Sequence, residues 1–380
     1  MRIIFAGTMG RSGLGGQAWA ALQYLLGLRA LGHEVYYLED CGESSWVFDW
    51  DKAEWTFGLD YPAAYVRACL EPYGFGERWL YRTNSEARGL PPERFARICA
   101  GADLLLIRAV PLWTWRPEYD RPRRRVFLDV DPGFTQISIA NGDRGFVEGV
   151  ARAERRFTVG QHLGRTGCPL PIDGGPWLKT VPPAFLPEWP FAEAEPEATR
   201  FTSVVRWQGF REARFAGMAY GQRDQEFARY LDLPRRTNQP LRLALMGTQP
   251  GNLTAHGWEV AAGEIISRTP SSYREFIQHS RAEFSVPKHG YVASRCGWFS
   301  DRSVCYLASG RPVLIEDTGL SDWLPAGEGL VTFHEPESAV AGMERINADY
   351  HRHRLAARRL AEQYFATDRV LPAFLEAALS

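Results

Sequence analysis

Apolar positions along the chain fall into two series of short runs, each alternating with stretches of helical spacing. The first series opens at "RIIFAG", residues 2–7, and runs into the Gly-rich loop "GTMGRSGLGG". "QAWAALQYLLGLRALGH" then places Trp19, Leu22, Leu25, Leu26 and Leu28 at helical spacing, with Gly32 where a helix C-terminus belongs. "EVYYLED" reads as the next strand. A strand, loop, helix and strand in this order predict a parallel, doubly wound sheet. Further strands read out at 103–109, 124–131 and 155–160. Residues 41–100 are aromatic and irregular, with a helix near 62–71.

The pattern breaks at 168–198, where "CPLPIDGGPW", "VPPAFLPEWP" and "FAEAEPEA" are rich in proline and predict no regular structure. A second series follows. Strands are expected at 242–247, around "WEVAAGE", at 282–288, at "PVLIED" and at "GLVTF". Helices are expected at "SSYREFIQHS", from Ser300 to about Ser309, and through 335–379. No short-period repeat is present.

Composition adds bounds. A chain of 380 residues, 45% hydrophobic, is too long for one ordinary core and comfortable for two. The expected division is 1–190, 191–355, and a C-terminal helix, 356–380, packing back on the first part. A net charge of −1 argues against a nucleic-acid partner. No apolar run reaches membrane-spanning length. "MRIIFAG" enters a strand directly with no leader pattern, which points to the cytoplasm. The six cysteines (41, 69, 99, 168, 296 and 305) form no C-x-x-C pair, so reduced thiols are expected and a zinc site is not. Oligomeric state is not encoded in these features.

The stretch with the most chemistry is "GWFSDRSVCYLASGRPVLIEDTG", residues 297–319. Ser300 is a good N-cap, Gly310 suits the end of the helix, and Pro312 prevents its continuation. The free N–H groups and dipole of such a helix make an anion site, and Ser300 and Arg302 add donors that suit a diphosphate. Gly297 allows close backbone approach. The next strand delivers Glu316, Asp317, Thr318 and Gly319 to its carboxyl end, where open α/β sheets bind ligands. An ordinary capped helix in a βαβ unit is the competing reading.

This stretch resembles the donor-binding segment of GT-B glycosyltransferases, through Cys296-Gly297-Trp298, Ser300, Ala308, Gly310 and Pro312-Val313. Most of the chain is also similar to a group of bacterial glycosyltransferase-like proteins, through "GGQAWAALQYLLGLRALGHEVYYLED", "YGQRDQEF", "HGW" and "GWFSDRSVCYLASGRPV". The resemblance implies an α/β fold with two Rossmann-like domains, a cleft between them and a C-terminal crossover helix. It implies transfer of a sugar from a nucleotide-diphosphate sugar to an acceptor, with no metal and no other cofactor. The donor-binding positions it implies are Gly15, Gly16, Lys288, Gly297, Trp298, Ser300, Asp301, Arg302, Asp317, Thr318 and Gly319. Arg206 and Arg223 contend with Lys288 for the diphosphate. Asp131 or His162 is the implied base if the enzyme inverts. Arg295 stands where plant-type members carry a phosphate-contacting histidine, and Cys305 lies near the place of their ribose-binding glutamate. The aromatic region with Trp46, Trp50, Trp55 and Trp79 is where the acceptor is expected.

Other classes remain open on the residues alone. Gly13-x-Gly15-x-x-Ala18, with Glu39 or Asp40 downstream, fits a dinucleotide fingerprint and hence an oxidoreductase. Asp129-x-Asp131 resembles a metal-binding DxD pair. A nucleotide-sugar epimerase or hydrolase would share the same fold, and a non-catalytic sugar-binding protein would keep it without turnover.

Overall fold

The computed structural model describes residues 1–193, 197–207, 212–247 and 253–380. The first half contains β1 (Arg2–Ala6), β2 (Glu34–Asp40), β3 (Trp46–Asp49), β4 (Glu54–Phe57), β5 (Trp79–Arg82), β6 (Ala87–Gly89), β7 (Leu104–Arg108), β8 (Arg124–Asp129), β9 (Arg155–Thr158) and β10 (Trp177–Lys179). One eight-stranded sheet runs β10-β9-β8-β7-β1-β2-β5-β6. It is parallel except for the edge strand β6, which pairs antiparallel with β5. Ile3–Phe5, Leu104–Ile107 and Val126–Leu128 are buried on both faces, as helix-covered parallel strands require. β3 and β4 stand apart from this sheet as an antiparallel hairpin.

The second half contains β11 (Phe201–Arg206), β12 (Ala213–Phe215), β13 (Met218–Tyr220), β14 (Leu241–Met246), β15 (Glu259–Ala262), β16 (Ala282–Ser285), β17 (Val313–Glu316) and β18 (Leu330–Phe333). Six form a parallel sheet in the order β15-β14-β11-β16-β17-β18, and β12–β13 is a separate hairpin. The strand order reverses direction at β11, which pairs with both β14 and β16. That central strand was not expected from the sequence. "FTSVVR" follows directly on the proline-rich stretch, and its Thr202 and Ser203 interrupt the apolar run although both are buried.

Several boundaries differ from expectation. The first long helix begins at Gly15 rather than Gln17. The proline-rich stretch contains the short edge strand β10. The C-terminal helical region is three helices, Pro336–Ala348, Tyr350–Leu360 and Thr367–Leu379, with a wide π turn at Ala361–Phe365 before the last. That last helix packs against the first half. The Phe374 ring sits 4.4 Å from that of Phe157. A side chain at Gly27 would meet Leu371 and Thr367 at 2.6 Å, so glycine permits the close helix contact. The returning chain runs beside the outgoing one, where Thr367 N donates to the Ala184 carbonyl at 3.0 Å. No described helix is long and apolar enough to cross a membrane.

Candidate active site

A cavity of about 700 Å³ opens where the carboxyl ends of the two sheets face each other. Parallel strands put their ligand-binding loops at this end. β7 ends in Arg108 and β8 leads into Asp131. From the other half, β11 ends in Arg206 and β16 leads into Lys288. All four side chains line the cavity. Arg11, Arg223 and Arg302 line it as well, against the carboxylates of Asp131 and Asp301, so its walls are strongly cationic.

Asp131 is the point where the halves meet chemically. Its Oδ1 accepts from the Lys288 ammonium and from the Tyr291 hydroxyl, both from the second half. Desolvation pushes the Asp131 carboxyl up. The Lys288 charge, that donated proton from Tyr291, and Arg108 outweigh it and hold the group below the usual carboxylate range. The Lys288 ammonium also lies 4.8 Å from the centre of the Phe134 ring. A second link runs the other way, where Arg108 Nη2 meets Asp301 Oδ2 at 3.2 Å.

Ser300 caps the helix Asp301–Ala308, its Oγ accepting from Arg302 N at 3.2 Å. Asp301 Oδ1 accepts from the same N–H at 2.9 Å. The helix terminus therefore already carries a carboxylate, which opposes rather than assists an incoming phosphate. Arg302 turns its guanidinium into the sheet. It bonds Glu283 Oε1 at 2.5 Å, Ser285 Oγ at 2.7 Å and the Val204 carbonyl at 2.9 Å. Its first task is to neutralise the fully buried Glu283. Arg223 donates to the Val286 and Arg206 carbonyls, and burial with the neighbouring Arg302 lowers its pKa to about 9. Gln222 lines the cavity at 5% exposure, and its Nε2 has no partner among the described residues.

No protein-family model matches the chain, and no curated protein does. Solved structures match over its full length. An alpha-glucosyltransferase (AGT) in complex with UDP aligns over 100% of both chains, with a TM-score of 0.60 and 12% identity. Sucrose-phosphate synthase from Thermosynechococcus elongatus aligns over 99% of this chain and 98% of its own, with a TM-score of 0.55 and 11% identity. Anabaena HepE in complex with UDP and glucose aligns over 99% of each chain, with a TM-score of 0.55 and 13% identity. The fold is that of the GT-B glycosyltransferases.

Within that fold, several expected site residues do not reach the cavity. His162 is wedged between Gly297 and Gly319. A side chain would lie 3.2 Å from its ring at Gly297 and 2.9 Å at Gly319. His162 Nδ1 donates to the Arg295 carbonyl at 2.8 Å, so this histidine joins the halves. Asp317 caps its own turn, accepting from Gly319 N at 3.0 Å and from Ser321 Oγ at 2.7 Å. Thr318 Oγ1 donates to the Trp298 carbonyl at 2.5 Å. His162, Gly297, Asp317, Thr318 and Gly319 thus build a joint behind the cavity, while Trp298 lines it and stacks on Tyr291 at 4.4 Å. Gly15 also meets the opposite half directly. Its N–H donates to the Ser267 carbonyl at 2.5 Å, and only Gly16 of the pair reaches the cavity.

The dinucleotide reading loses both of its acids, and the DxD reading loses Asp129. Glu39 accepts from Gly10 N, Arg11 N and the Tyr37 hydroxyl, capping the short helix Met9–Ser12. Asp40 is buried in a pair with Arg116 at 2.6 Å and accepts from the Tyr119 hydroxyl. Asp129 is buried and accepts from Thr135, Gln136 and Thr158. Burial pushes its carboxyl up against those bonds. No group of three or more metal-ligating side chains occurs among the described residues. Trp258, from the "HGW" stretch, is core and donates to the Leu231 carbonyl; Arg206 reaches the cavity, Trp207 beside it is buried, and Gln208 lies outside the described residues. Arg108, Tyr291 and Gln222 were not singled out in the sequence. The only signal was position, Arg108 closing an apolar strand and Gln222 standing beside Arg223.

Proposed function

We propose that the protein transfers a sugar from a nucleotide-diphosphate sugar to an acceptor hydroxyl, without a metal ion. The observation that carries this is the cationic cavity between two parallel sheets, closed by Lys288 on Asp131. Lys288, Arg206 and Arg223 take the diphosphate, and their charge stabilises it as it departs, the work a divalent cation would otherwise do. The Gln222 Nε2, which has no partner among the described residues, offers a further donor, since a buried donor of this kind is costly until it finds an acceptor. Asp301 and Ser300 set the helix end and hold Arg108. The diphosphate draws Lys288 away from Asp131, and the freed carboxylate receives the acceptor proton. Direct displacement of this kind inverts the anomeric centre.

The first test is a thermal-shift series with UDP-, GDP-, TDP- and ADP-linked sugars beside NAD, NADP and FAD, with and without EDTA. Binding to the native state raises the melting temperature by mass action. A rise with one nucleotide sugar, indifferent to EDTA, is expected. A rise with a dinucleotide alone would remove this reading, and an EDTA-sensitive rise would remove its metal-free part. NMR of the product anomer tests the base. Retention of configuration would leave Asp131 with the holding of Lys288 alone. The same fold could serve an epimerase, but the aromatic wall described next favours an acceptor.

A further inference from the structure

The β3–β4 hairpin carries aromatic side chains that no core requires. Trp46 is 46% exposed, Trp55 54% and Phe57 69%. Trp46 and Trp55 stack at 5.6 Å with only 7° between their planes, and Phe57 lies 3.9 Å from Trp46. Phe48 meets Trp55 edge-on at 5.7 Å and Trp50 at 4.7 Å. The inner end of the hairpin is fixed. Trp50 Nε1 donates to the Ser12 carbonyl at 3.3 Å, and the Trp50 backbone N–H donates to the Tyr61 hydroxyl at 3.0 Å. Arg268 of the second half pairs with Asp51 and donates to Tyr61 at 2.8 Å. Trp46, Phe48, Trp50 and Trp55 all line the cavity that holds Asp131 and Lys288. Trp79 does not, being buried in β5.

A wide exposed aromatic face continuous with a reaction cavity calls for an occupant. We infer that the Trp46–Trp55 face is the acceptor subsite, and that the acceptor is a neutral saccharide whose pyranose ring stacks there. This rests on the glycosyltransferase reading above. Three observations select the saccharide. The stacked, half-exposed indoles form a rigid aromatic wall, and an outer indole face matches the C–H face of a sugar ring, whereas an acyl chain needs a groove. Polar groups of Thr8, Ser12 and Gln17 line the same cavity and suit sugar hydroxyls. Around the indoles, residues 43–57 carry Glu43, Asp49, Asp51 and Glu54 against Lys52, a balance that repels nucleic acid and anionic lipid. The chain thus differs in its expected acceptor from the alpha-glucosyltransferase solved with DNA, whose fold it shares.

The test keeps the two readings apart. UDP, GDP, TDP and ADP are titrated against the full chain by thermal shift. Cellotriose, maltotriose, xylotriose, chitotriose, a duplex DNA and phosphatidylglycerol vesicles are then titrated by tryptophan fluorescence, and each is offered as acceptor with the matching nucleotide sugar. One trisaccharide is expected to quench the fluorescence and to accept the sugar. Trp55→Ala should raise its KM about tenfold or more, and Trp55→Phe should restore most of the affinity. Since Trp55 is exposed, both variants should melt close to the parent. Nucleotide binding with no trisaccharide bound, transfer to DNA or vesicles instead, or an unchanged KM in Trp55→Ala would overturn this inference alone. Absence of binding by every nucleotide would overturn it together with the glycosyltransferase reading.

Discussion

The Lys288 ammonium reaches across the cavity to the Asp131 carboxylate, joining residues 157 positions apart and one sheet to the other. A cation held by a carboxylate is not fully available to a phosphate, and the carboxylate is not fully available to a proton. Asp131→Asn should therefore separate the two. Lys288, no longer held by this carboxylate, should bind the nucleoside diphosphate tighter, by roughly three- to tenfold, while transfer falls by about 10²-fold or more. Lys288→Ala should weaken both. Calorimetric affinity for the diphosphate and steady-state rates check the pair. Weaker diphosphate binding in Asp131→Asn would show that the ion pair does not compete with the donor.

The depressed pKa of Asp131 sets the pH profile. A base acts only when deprotonated, so activity is lost as pH falls through its pKa. Lys288, Tyr291 and Arg108 hold that value below the usual range of about 3.9 against the opposing effect of burial. The kcat/KM for the donor, which reports the donor-free enzyme in which Lys288 still holds Asp131, should then stay flat from about pH 5 to 8 and drop only below about pH 4. An acidic limb well above this range would show that a group other than Asp131 supplies the base. Measuring kcat/KM from about pH 3 to pH 8 makes the check.

The parallel sheets were legible because their central strands are continuous apolar runs, as in Leu104–Ile107 and Val126–Leu128. Strand ends then located Asp131 and Lys288. β11 was not legible, because Thr202 and Ser203 are polar yet buried, bonded or packed in a way only the tertiary structure shows. The β3–β4 hairpin has aromatic residues on its exposed face, so the usual inward-outward alternation is missing. The direction of a side chain was equally hidden. Arg302 reads as a phosphate ligand from the capped helix it starts, but β16 lies against that helix and presents the buried Glu283.

That placement makes a specific claim about stability. Removing Arg302 would leave Glu283 as an unpaired buried charge, which costs about 3–5 kcal/mol. Arg302→Ala should thus lower the melting temperature by several degrees before any ligand is added. Removing both charges, Arg302→Met with Glu283→Gln, should recover most of that loss. Loss of nucleotide binding in the single variant would then say little about phosphate contact. Retained binding in the recovered double variant would show that Arg302 does not hold the diphosphate. Thermal melts and nucleotide titrations on the same samples supply both readouts.

Gly15 tests the joint between the halves in a similar way. A Cβ there would stand 2.1 Å from the Thr269 carbonyl oxygen, and backbone cannot rotate aside as a side chain can. At the neighbouring Gly16 the nearest atom is 3.1 Å away, in the Tyr273 ring, which is closer to an ordinary contact. Gly15→Ala must push the helix Gly15–Ala30 away from the second half and strain the bond from its N–H to Ser267. Overpacking of this kind costs about 1–3 kcal/mol, or roughly 1–4 °C in melting temperature for a chain of this size. The cavity is built from both halves, so their displacement should also raise the KM for the donor. Gly16→Ala should do less on both measures. Equal effects at the two positions would mean that the halves are not held at Gly15, and that the loop serves the ligand directly.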